Sequence, residues 1–188
     1  MSRQRVRYLD DMTSPAPVAV TVVGNDRPGI VASVTQALYE LGCNLEDATS
    51  TILRGHFSMM LVVRPPEGTD AGLIDERLQG VGQTLGLVVS ARPVEEAEAR
   101  TVQPTHMVSV YGADRPGIVF RVAEALAGGG SNITDLTSRL IGSDEQPVYA
   151  VMMEVAVTDE NATADALDRL REELGLDVSL RPLETDLL

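Results

Sequence analysis

The chain has 188 residues, of which 44% are hydrophobic and 23% charged, with a formal charge of −13; this is the balance of an ordinary globular protein. Such an acidic chain does not draw in phosphate backbones or anionic lipid, which need Lys and Arg to neutralise them, so no direct nucleic acid and no membrane surface are expected as partners. One cysteine, no apolar run approaching the roughly 18 residues of a span, and a start, "MSRQRVRYLDDMTSPAP", without a hydrophobic signal core point to a cytoplasmic chain with no intrachain disulfide and no cysteine-based zinc cage, and no metal or cofactor is expected.

Residues 1–17 are expected to form a solvated arm, including Arg3, Arg5 and Arg7. Val18 to Val23 is a β-branched run between Pro17 and Gly24, the pattern of a buried strand. Ile30, Val31, Val34, Ala37, Leu38 and Leu41 then recur at helical spacing, and Gly42 stands where a helix stops. Asn44 to Leu53 and Phe57 to Arg64 read as an extended pair around "RGH". Thr69 or Asp70 can cap a helix through Leu85, weakened by Gly72, Gly80 and Gly82, and Leu87 to Val94 closes the series as a strand.

The same order then returns. Met107 to Tyr111 is a strand, Ile118 to Leu126 a helix, Ile133 to Ile141 and Val148 to Val157 a second extended pair. "NATADALDRLREELG" is an amphipathic helix, and Leu176 to Leu183 ends the unit. Between Gly24–Leu53 and Gly112–Ile141, fifteen of thirty positions are identical without a gap, and "LGLVVSARPVE" from Leu85 matches "LGLDVSLRPLE" from Leu174. The chain is therefore a tandem repeat: 18–95, a linker at 96–105, 106–184, and a short tail at 185–188. Each unit reads βαββαβ, an α+β ferredoxin-like arrangement of a four-stranded antiparallel sheet with two helices on one face.

That fold serves unrelated functions, so function must come from residues. An RNA-binding version needs sheet aromatics and a basic surface, but aromatics are 3% here. A metal carrier needs a cysteine pair, and no His, Ser or Lys recurs with the repeated turn to make a phosphate or catalytic site. What recurs is "DRPG" and "G-x-N". Pro28 suits the first helical position, Gly29 permits close backbone approach, Asp26 can accept an ammonium group and Arg27 can pair with a carboxylate. Two readings stand: an amino-acid site, or Asp26 and Asp114 acting only as helix caps.

"DRPGIV", the helix after it and "G-x-N-L/I-x-D" resemble ACT domains, the small-molecule sensor modules of amino-acid metabolism, over most of the chain. Two such domains with no enzyme attached are similar to the glycine cleavage system transcriptional repressor group. The resemblance implies an amino acid, glycine or serine first, bound at a domain interface. The implied contacts are Asp26, Arg27, Pro28, Gly29, Ile30 and Asn44 in one unit, and Asp114, Arg115, Pro116, Gly117, Ile118 and Asn132 in the other. With no nucleophile, general base or metal constellation recurring with the turns, no catalysis is expected. With no DNA-binding helix pair in the sequence, a transcriptional effect is expected to need a protein partner. Exposed sheet edges in a duplicated unit predict units paired about a pseudo-two-fold axis and a homodimer. A module that binds no metabolite, or a detached regulatory subunit of a biosynthetic enzyme, are the alternatives.

Asn44 and Asn132 suit an α-amino acid, yet Asn also tolerates a left-handed backbone after a helix-ending glycine. "LAGGG" in place of "LYELG" is expected to loosen the end of the second unit's first helix. His56 and His106 have no counterparts in the other repeat and read as solvated or locally bonded, Met59, Met60, Met152 and Met153 as core filling, and Cys43 as a small residue beside a helix end.

Overall fold

The computed structural model describes residues 15–94, 102–143 and 146–183. The expected arm up to residue 14, the linker through 101 and the tail lie outside the described residues. The chain divides into two compact units, 1–100 and 101–188. The first contains β1 (Val18–Asn25), α1 (Ile30–Glu40), β2 (Asn44–Leu53), β3 (His56–Arg64), α2 (Ala71–Leu85) and β4 (Leu87–Pro93). The second contains β5 (His106–Gly112), α3 (Ile118–Gly128), β6 (Asn132–Ser143), β7 (Gln146–Ala156), α4 (Glu160–Leu174) and β8 (Asp177–Pro182). The sheets run β2-β3-β1-β4 and β6-β7-β5-β8, antiparallel throughout, which is the ferredoxin-like arrangement the element order predicts.

The core of each unit forms where a period of two meets a period of 3.6. Val18, Val20 and Val22 of β1 face Ile30, Val34 and Leu38 of α1 and Ile74 and Leu78 of α2, all buried. Val108, Val110, Val122, Leu126, Leu167 and Leu170 do the same in the second unit. Each such side chain contributes about 1.5–3 kcal/mol when withdrawn from water. The edge strand β2 overhangs this core, and every one of its residues is exposed.

Strand alternation corrects the reading of the methionines. Met59 and Met153 are buried, but Met60 and Met152 are 52% and 45% exposed, because adjacent strand residues point to opposite faces. The glycines of α2 do not break it. Gly82 sits so close to β4 that an added Cβ would lie 2.8 Å from the Leu87 carbonyl oxygen, so packing explains a residue that propensity counts against the helix. Nor is the end of α3 loosened: α1 and α3 both span 11 residues. There, Gly129 gives room to Thr163, whose Oγ1 would be 3.3 Å from an added Cβ.

Candidate functional site

The duplicated turn joins β1 to α1 and β5 to α3. Pro28 occupies the second position of a four-residue turn from Arg27 to Ile30, with φ fixed by its ring, and Gly29 occupies the third with φ 96° and ψ −7°. Gly117 repeats this at φ 92° and ψ −3°. Proline followed by a left-handed glycine is the type II turn, and the positive φ explains why glycine is needed. Gly29 and Gly117 are also the residues at the helix caps: their carbonyls accept the first helical hydrogen bonds from Ser33 and Arg121, both at 2.9 Å. Pro28 and Pro116 thus lie one residue before the cap, not at the first helical position as expected.

The capping reading of the aspartates fails on the same geometry. Neither α1 nor α3 has a side-chain cap, and Asp26 and Asp114 stand exposed three residues before the cap. Where this chain does cap with aspartate, the residue occupies the cap itself. Asp70 accepts from the Leu73 N–H at 2.8 Å, and Asp159 from the Ala162 N–H at 3.0 Å. Arg27 and Arg115 are likewise exposed, and neither forms an ion pair among the described residues. Ile30 and Ile118 differ from these neighbours, since their side chains are buried and anchor each turn to its core.

The structure brings residues 26–30 together, and 114–118 likewise, but it does not bring either asparagine to the turn of its own unit. Asn25 pairs with His56 at one end of β3, while Asn44 pairs with Arg64 at the other. Between the turn and Asn44 runs the 11-residue α1, about 16 Å at 1.5 Å per residue. Asn132 begins β6 in the same way, opposite Ala156. Nor do the asparagines take the left-handed conformation. Gly42 and Gly130 do, at φ 73° and 72°, and Asn44 and Asn132 are ordinary exposed strand residues.

Two features of the site escaped the sequence reading. In the first unit the β2–β3 hairpin ends at Arg54 and Gly55, and the Gly55 carbonyl accepts from the Asp26 N–H at 2.8 Å. In the second, the strands continue for two more pairs, Gly142 with Pro147 and Ser143 with Gln146. There a concavity of about 470 Å³ opens over the turn, lined by residues 114–120 and Tyr149. A separate concavity of about 360 Å³ lies on the helix-free face of that sheet, lined by Met107, Asp135, Arg139, Met152 and Glu154 among others, and does not include the turn.

His56 is exposed at the start of β3. His106 is buried, with Nδ1 2.9 Å from Thr105 Oγ1 and Nε2 3.8 Å from a Glu160 carboxylate oxygen. It begins β5, the end away from the turn. Cys43 is half-buried, and that burial pushes its thiol up, away from reactivity. No group of three or more His, Cys, Asp or Glu among the described residues could hold a metal ion. No helix among them is long and apolar enough to cross a membrane.

Fold and repeated turns together define a tandem pair of small ferredoxin-like α+β units. The ACT domain family matches residues 16–92 and 105–181, and the chain belongs to that family. It is 26% identical over 156 residues to the glycine cleavage system transcriptional repressor of Escherichia coli, covering 82% of this chain and 80% of the relative. A UPF0237 protein of Streptococcus mutans is 41% identical over 71 residues, 38% of this chain and 81% of the relative. Among solved structures, an unknown protein from Galdieria sulphuraria superposes with a TM-score of 0.76 at 27% identity, covering 89% of this chain and 98% of that one.

Proposed function

We propose that this ACT-domain protein is a non-enzymatic amino-acid sensor, regulating glycine cleavage or one-carbon metabolism through a protein partner. The observation that carries the reading is the aspartate of each turn. Asp26 and Asp114 are held in the same place twice, exposed, with no structural task in capping the helices that follow. Each can accept an ammonium group, while Arg27 or Arg115 pairs with the carboxylate. Glycine and serine are the first candidates in view of the Escherichia coli relative's name.

Asn44 and Asn132 enter this reading with a condition. Since α1 separates Asn44 from the turn of its own unit, an amino acid touching both groups needs a second copy of the unit. The exposed edge strand β2 suits such pairing, and a homodimer is part of the proposal. Calorimetry of the metabolite-free chain against glycine, serine and a panel of other amino acids tests it. Binding by any of them supports the sensor; no heat with the whole panel leaves the turns as architecture and the chain as an interaction module.

A further inference from the structure

We propose that the two turns take different amino acids, and that the second, at Asp114 to Phe120, takes one with an apolar side chain recognised by Phe120 and Tyr149. This rests on the reading that the turns bind amino acids at all. The charged ends are alike in both units: Asp26 and Asp114 for an ammonium group, Arg27 and Arg115 for a carboxylate. What differs is the wall beside them. Phe120, 64% exposed on the first turn of α3, stands where the first unit has Ala32.

The opposite wall differs too. Phe57 pairs with Gly24 and Tyr149 with Gly112, so the two aromatics occupy one position in the fold. Phe57 is spent in the core at 6% exposure, whereas Tyr149 packs only partly against its core and lines the concavity of about 470 Å³. The hairpins reinforce the contrast. The first closes on its turn through the Asp26 N–H and the Gly55 carbonyl, and the second runs on past it. An apolar ligand body between Phe120 and Tyr149 removes exposed aromatic surface from water, and glycine has no side chain with which to do so.

Titration calorimetry of the full chain with glycine, serine, leucine and phenylalanine tests this, on the wild type and on Asp26→Asn, Asp114→Asn and Phe120→Ser. Leucine and phenylalanine are expected to bind, at least about tenfold more weakly in Asp114→Asn and unchanged in Asp26→Asn, the scale of a lost hydrogen bond to a charged group. Phe120→Ser is expected to weaken them by about tenfold or more, the scale on which an apolar site distinguishes side chains, and to leave glycine and serine unchanged. Phe120→Leu, which keeps an apolar surface, is expected to restore leucine binding and guards against a folding artefact. Apolar amino acids that fail to bind, that respond to Asp26→Asn instead, or that ignore Phe120→Ser overturn this inference and leave the sensor reading intact wherever glycine or serine still binds. Absence of binding by all four overturns the inference together with its premise.

Discussion

The hydroxyls of Ser131 and Thr163 lie 2.9 Å apart inside the second unit, and both residues are buried. The Thr163 hydroxyl also reaches the Asp159 carbonyl oxygen at 2.7 Å. A carbonyl can only accept, so Thr163 donates to Asp159 and accepts from Ser131. At the same two places the first unit has Cys43 and Ile74, two apolar members of its core in place of a polar pair. Thr163→Val would therefore strand the Ser131 hydroxyl and is expected to cost the second unit about 1–3 kcal/mol. Adding Ser131→Ala is expected to recover part of that loss, which urea unfolding of both single variants and the double variant would read as non-additivity.

Neighbouring glycines of α2 are expected to respond with opposite signs. Gly82→Ala drives a Cβ to 2.8 Å from backbone oxygen in β4 and is expected to destabilise by about 1–3 kcal/mol. Gly80→Ala meets no atom within 4 Å and is expected to stabilise by about 0.5–1 kcal/mol through helix propensity. Thermal melting of the two variants decides the matter.

Arg77 of α2 and Gln36 of α1 both donate to the Glu40 carboxylate, with Arg77 the stronger influence, and hold its pKa below the ordinary carboxylate range. The folded chain therefore keeps this carboxylate ionised to lower pH than the unfolded chain does. The stabilisation is whole above the ordinary range and fades as pH falls through the depressed value. Glu40→Gln is expected to be less stable than the wild type at neutral pH and equal to it in strong acid. A gap that stays constant across a pH series of melts would refute this.

Asp26→Asn and Asp114→Asn are expected to leave stability within about 0.5 kcal/mol of the wild type, because neither residue caps a helix. Asp70→Ala and Asp159→Ala, which remove true caps, are expected to cost about 1 kcal/mol each. Melts of the four variants test the structural half of the claim, and amino-acid titration of the first two tests the functional half, where affinity is expected to fall.

How much of this was readable beforehand follows from the physics of each feature. The βαββαβ order came from periodicity repeated twice, because a period of two or 3.6 survives in the sequence whatever packs against it. Strand ends were less legible: Gln146 and Pro147 hid the start of β7, a proline being a poor strand signal except at hairpins and edges. The turn was readable as Pro-Gly, but not the idleness of Asp26 as a cap, which depends on which residue occupies the cap. Separation of Asn44 from the turn was implicit in the length of α1. The place of Tyr149 over the turn was not, because its pairing with Gly112 depends on the register between β5 and β7.

The unequal length of the two hairpins has a consequence for how such a unit can change. Beyond the pair Leu53 with His56, or Ile141 with Val148, the second hairpin gains two complete pairs while the pairing below stays in step. Residues added two by two across a hairpin leave every inward side chain inward, so the arm beside the turn can lengthen or shorten without any repacking of the interior. A copy of the unit is thereby free to alter how far this arm extends beside the turn, while the valines and leucines beneath remain under an unchanged constraint.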